Sequence, residues 1–83
     1  MNNYVMSTEE FLNFKSILQN LYLKCLEQNL TKNKIKDKIN KKLDYFKEEG
    51  FFNYYEIKKV NKNNIQIIIN IGNELYKIEL MRG

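Results

Sequence analysis

The chain has 83 residues and a formal net charge of +4, with 14 Lys and Arg against 10 Asp and Glu. It holds no His, no Pro, no Trp and one Cys, which excludes an internal disulfide, a His/Cys zinc site and His-based acid–base chemistry. The length suits one small domain over 1–83, which buries only roughly 60–65% of its extended surface and so has a thin margin of stability.

Ser7-Thr8-Glu9-Glu10 reads as a capping box, with Ser7 at the N-cap and Glu10 at N3. Met6 and Phe11 are spaced for the hydrophobic staple that often accompanies it. The first helix is predicted over about 8–28. Its main apolar face is Phe11, Phe14, Ile17, Leu18, Leu21, Tyr22 and Cys25, at the spacing of an amphipathic helix. A second strip, Leu12, Leu23, Leu26 and Leu30, lies on another side. A helix apolar on two sides is either sandwiched within its own domain or docks on something outside it. In a domain this small the second is realistic, and the strip is then the candidate surface for a homodimer.

Thr31 is the next N-cap, and Leu30 is placed to staple onto Ile35. The second helix is predicted over 32–49, with Ile35, Ile39, Leu43 and Phe46 as a narrow core stripe. Gly50 sits at C′ and Phe51 at C″, where it can pack on Phe46 in a Schellman motif.

Residues 51–60, 65–71 and 74–81 read as strands. Gly72-Asn73 is a two-residue hairpin turn that pairs Ile65 with Leu80, Ile67 with Ile78 and Ile69 with Tyr76, so every pair on that face is apolar. A three-residue loop of 61–63, with Asn63 left-handed, puts Tyr55 and Ile57 on the same core face. The expected fold is α+β, in the order ααβββ: two N-terminal helices on one face of a three-stranded antiparallel meander.

The run Leu43-Asp44-Tyr45-Phe46-Lys47-Glu48-Glu49-Gly50-Phe51-Phe52, followed by Tyr55-Glu56-Ile57 and Ile65-Gln66-Ile67, resembles one segment of the small-subunit ribosomal protein eight family. There a helix ending in Lys-Glu-Glu-Gly-Phe leads into two strands. The resemblance covers about half the chain and implies the helix-to-strand junction. It carries over no RNA site, and the first helix does not fit that family's N-terminal pattern.

Catalysis is not expected. Ser7 and Ser16 are the only serines; Ser7 is committed to capping, and Ser16 has no base near it in sequence. Cys25 falls on the core face, no Gly-rich phosphate cradle is present, and Asp37, Asp44 and Glu48 fall opposite the core stripe. No cofactor and no metal are implied. No apolar run nears the ~20 residues of a membrane span. The first residues carry no signal-type pattern, so the expectation is a cytoplasmic protein.

Two features point to binding. Lys34, Lys38, Lys41 and Tyr45 recur along one edge of the second helix, a row that could follow phosphates or meet an acidic protein face. Aromatics crowd residues 45–55, and Tyr54 and Phe52 fall on the sheet face opposite Tyr55, near Ile68 and Leu75. Asn, Ile and Lys supply 36 of 83 residues and Ala none, a skew that fits AT-rich codons and a low-GC bacterium or its mobile elements. Part of the lysine content follows from it, and one Arg among 14 cations argues against a dedicated reader of phosphates or bases.

The leading expectation is a non-catalytic binding protein acting sterically on a larger protein or nucleoprotein. A phage or mobile-element inhibitor, anti-CRISPR proteins included, is a concrete version that rests on size and composition. Tyr54, Phe52, Ile68 and Leu75 would make the buried contact, and Lys34, Lys38, Lys41 and Tyr45 would meet the acidic or nucleic-acid component. The alternative is an RNA- or DNA-binding module using the lysine edge with stacking aromatics.

Overall fold

The computed structural model of the chain describes residues 7–82. The elements are α1 (Thr8–Glu27), α2 (Lys32–Glu48), β1 (Tyr54–Val60), β2 (Asn64–Ile71) and β3 (Glu74–Met81), in the expected ααβββ order. The strands form one antiparallel sheet in the order β1-β2-β3, with α1 packed against β3 and α2 against β1.

Both helices start where side chains take up their first orphan N–H groups. Ser7 Oγ accepts from the Glu10 N–H, and Glu10 Oε1 accepts from the Ser7 N–H, each at 3.1 Å. The staple partner Met6 lies outside the described residues. Thr31 Oγ1 accepts from the Lys34 N–H at 3.3 Å. At the end of α2 the Schellman pair forms as expected: Gly50, at φ 89°, donates to the Lys47 carbonyl and Phe51 donates to that of Phe46. The Phe46 and Phe51 rings meet edge-on with centroids 5.3 Å apart. The end of α1 repeats this motif with Asn29 (φ 55°) in the left-handed position. Asn29 donates to the Leu26 carbonyl and Leu30 to that of Cys25.

The core draws on every element. Phe14, Leu18, Tyr22 and Cys25 of α1 meet Ile35, Ile39, Leu43 and Phe46 of α2 over Ile65, Ile67, Ile69, Ile71, Ile78 and Leu80 of the sheet. Burying one such side chain contributes roughly 1.5–3 kcal/mol. Two expectations for α1 need correction. Ile17, assigned to the main core face, is 43% exposed, because only a narrow stripe faces the sheet and α2. The second strip is not continuous either. Leu12 and Leu23 are exposed, while Leu26 and Leu30 pack against the core as the chain turns into α2.

The β2–β3 register is the expected one, Ile65 with Leu80, Ile67 with Ile78 and Ile69 with Tyr76. Gly72 supplies a positive φ of 64° at its turn. The other hairpin reaches its pairing by a different route. Tyr55 pairs with Ile69 and Ile57 with Ile67, yet Val60 pairs with Ile65, because a bulge sits between Ile57 and Lys59. That extra residue turns Lys58 and Lys59 both outward and leaves Tyr55, Ile57 and Val60 all facing the core.

The turn itself is organised by Asn61 and not by a left-handed Asn63. Asn61 Oδ1 accepts from the N–H groups of Asn63 (2.7 Å) and Asn64 (2.8 Å), and its own N–H donates to the Asn64 carbonyl. Its carbonyl accepts from the Tyr22 hydroxyl at 2.9 Å, which ties the hairpin to α1. A second tie lies at the sheet edge. Gln19 Nε2 donates to the Met81 carbonyl at 2.6 Å, and Gln19 Oε1 accepts from the Met81 N–H at 3.1 Å.

Asn61→Ala therefore costs about 1–2 kcal/mol, the loss of two acceptor contacts. Asn63→Ala, whose bonds are all backbone, changes stability by less than about 0.5 kcal/mol. Urea unfolding midpoints of the two variants check this, and equal losses would return the turn to a left-handed Asn63.

Candidate functional site

The positive charge is concentrated in one element. Lys32–Glu48 carries seven lysines against three acids, so α2 alone accounts for +4, the formal charge of the whole chain. Its core stripe turns toward the sheet and α1, leaving Lys34, Lys38, Lys41 and Tyr45 exposed.

The structure brings part of this row into a groove. A shallow cavity of about 350 Å³ between the helices is lined by Leu21 of α1 and by Lys38, Lys41, Lys42 and Tyr45 of α2. A second depression of about 400 Å³ shares Leu21 and Lys42 with it and adds Ile17, Asn20, Leu23, Lys24 and Glu27. The floor is thus aliphatic and the rim cationic. Tyr45 is 55% exposed, with the Lys42 ammonium 5.9 Å from its ring centroid. Lys41 pairs with Asp37 across one helical turn at 3.4 Å, a solvent-exposed contact of little stabilising value. Lys34 sits one turn before Lys38, beyond the residues that line the groove. Lys42 was missed in the sequence because it lies between the lysine row and the core stripe. Only the neighbouring helix shows which side of α2 it faces.

The aromatic candidates lie elsewhere. On the open sheet face Tyr54, Asn70 and Leu75 form one cross-strand row, and Glu56, Ile68 and Lys77 the next. Tyr54 is 47% and Leu75 62% exposed, with Ile68 half-buried between the outer strands. Phe52 does not join them. It is 5% exposed and packs against Phe14 and Tyr55, with ring centroids at 5.8 and 5.9 Å. The strand alternation that would put it beside Tyr54 starts only at Tyr54, so Phe52 turns into the core from the preceding bend. This face carries two acids, Glu56 and Glu79, against three lysines, Lys58, Lys59 and Lys77, with Lys58 paired to Glu56 at 3.6 Å. Glu79 Oε2 accepts from Asn64 Nδ2 (2.7 Å) and Gln66 Nε2 (3.4 Å), and these hydrogen bonds hold its carboxyl below the usual range. The sheet contact and the lysine row therefore occupy opposite sides of the molecule and cannot form one continuous interface.

Other reactive groups are engaged in the fold. The Cys25 thiol is pushed up by burial, against the pull of the Lys38 charge. Asp44, expected on the solvated face, accepts from the Tyr55 hydroxyl at 2.7 Å, and Asn40 Oδ1 lies 3.0 Å from the same hydroxyl. The two side chains join α2 to β1. A cleft of about 440 Å³ lies between the start of α1 and the β2–β3 turn, lined in part by Phe11, Glu74 and Tyr76. Among the described residues no group of His, Cys, Asp or Glu is placed to hold a metal, and no helix is long and apolar enough to cross a membrane.

No family model, no curated protein and no solved structure matches this chain. What residues 43–67 show in the structure is the helix–glycine–strand junction, α2 closed off by Gly50 before β1 and β2.

The Tyr55 contact has a pH signature. Burial first, then the hydrogen bond and charge of Asp44, push its phenol up to about 12 from 10.0. The fold favours the neutral phenol, so this contribution to stability is whole below pH 10 and is lost as pH rises through about 12. Tyr22 and Tyr76 are raised as well, so Tyr55→Phe should flatten only part of the alkaline loss. Urea midpoints across that pH range test it, and an unchanged slope would remove the Tyr55–Asp44 contact from the account.

Proposed function

We propose that this chain is a non-catalytic binding protein that covers an acidic surface of a larger protein with the outer face of its helix pair. One observation supports this above the others: Ile17, Leu21 and Tyr45 share a groove with Lys24, Lys38, Lys41 and Lys42. Apolar side chains left open on a thinly stable domain are costly unless something covers them. Surrounded by cations, they suit an apolar contact with an acidic rim. The effect on the partner would be steric, as in an inhibitor or regulator that blocks a surface.

Nucleic acid is the second reading. Lysines along a helix can follow phosphates, and Tyr45 could stack on a base. The aliphatic floor favours protein, since Ile and Leu offer neither phosphate contacts nor a stacking plane. A single Arg in the chain weakens base readout further.

The test sets labelled RNA and DNA, single- and double-stranded, against capture of protein partners, with the same variants in both assays. Under the protein reading, nucleic acid shows no micromolar binding that falls steeply with salt. Tyr45→Ala weakens partner binding about tenfold, a loss typical of an interface hot spot. Tyr54→Ala leaves it within twofold (about 0.4 kcal/mol). Steep salt-dependent RNA or DNA binding, abolished by Lys38→Glu with Lys41→Glu, would overturn the protein reading in favour of nucleic acid.

A further inference from the structure

We infer that the occupant of the inter-helix groove is an acidic amphipathic helix of the partner, laid along α1 and α2 as a third helix. This rests on the protein-binding reading above and specifies its mode.

The spacing supports a helix. Lys38, Lys41 or Lys42, and Tyr45 recur once per turn along α2, and Ile17, Leu21 and Lys24 do so along α1. A helical turn rises about 5.4 Å, so acids at i, i+4 and i+7 on a docked helix can stay level with successive lysines. Same-face side chains of an extended strand recur every ~6.6–6.8 Å and fall out of step within three contacts. The length also fits: α2 has 17 residues, about 25 Å, which accommodates a helix of four turns.

The chemistry points to a negative partner. Four lysines ring the floor and Glu27 is the one acid lining the two depressions; Lys41 is paired with Asp37, which leaves Lys24, Lys38 and Lys42 to meet a partner's acids. A docked helix would set apolar residues on Ile17 and Leu21 and acids beside Lys24, Lys38 and Lys42. That is the helix-in-groove mode, read by anchors at i, i+3, i+4 and i+7.

The experiment titrates the nitrogen-15-labelled full chain with a synthetic four-turn peptide carrying Leu at those positions and Glu beside them. Three further probes are a scrambled peptide of the same composition, poly-glutamate of the same length, and a single-stranded oligonucleotide. The expected result is amide shifts at Ile17, Leu21, Lys38, Lys42 and Tyr45, with at least tenfold preference over the scrambled peptide. Ile17→Glu, at an exposed position, should weaken the peptide tenfold or more without moving the urea midpoint; Lys38→Glu should do the same. Equal binding of peptide, scramble and poly-glutamate would overturn the helical mode while leaving an acidic protein partner in place. Shifts produced at these residues by the oligonucleotide alone would overturn both. No shift with any probe, or shifts on Tyr54 and Leu75 instead, would overturn the groove as the docking site.

Discussion

The central strand is the constraint on which the rest of the molecule depends. Ile65, Ile67, Ile69 and Ile71 all point to one face and are buried there, so the helices have one surface to cover and the flanking strands have one register to meet. β3 meets it without adjustment, because a two-residue turn at Gly72-Asn73 preserves the alternation. β1 cannot. With Val60 opposite Ile65, an unbroken ladder would turn Tyr55 and Ile57 to the open face. The bulge at Lys58 restores them, and it also bends the edge strand where Lys58 and Lys59 both point outward, a device that discourages pairing with other chains. At the other edge, the Gln19 amide occupies both backbone groups of Met81.

Few bonds connect the two layers, and they fall at informative places. Tyr22 reaches the hairpin turn through the Asn61 carbonyl, and Tyr55 reaches α2 through Asp44 and Asn40. Each tyrosine is an apolar body with a polar tip, suited to a layer boundary where one end is dry and the other partly wet. No buried side-chain nitrogen or oxygen among the described residues lacks a partner. In so small a domain one such orphan would consume a large share of the net stability.

The tight connection between the helices shapes the candidate site. Leu30 closes the Schellman motif of α1 and immediately precedes the N-cap of α2, so the two helices lie side by side with little slack. Their inner faces are spent on the core, and the outer valley brings α1 aliphatics against the α2 lysines. The open sheet face has a different character, with charges of both signs interspersed and scattered apolar residues. Long-range attraction of an acidic partner would therefore orient it toward the helix layer before any contact forms.

The sequence by itself determined the elements, their order and most of their ends. The Ser7 capping box, the Thr31 N-cap, the Gly50 junction and the alternation of β2 are local patterns, and local sterics and hydrogen bonds suffice to set them. It also located the lysine row, since the spacing of Lys34, Lys38, Lys41 and Tyr45 is a property of one helix. Tertiary structure decided what depends on two elements at once. Whether Ile17 is core or surface depends on where α2 lies. Whether Phe52 joins Tyr54 depends on where the strand begins. The bulge at Lys58 depends on a register shared with β2, and the tie of the turn to α1 depends on Tyr22, 39 residues before the Asn61 carbonyl that it bonds. The groove belongs to the same class, because a row of lysines becomes the rim of a groove only when another helix supplies its floor.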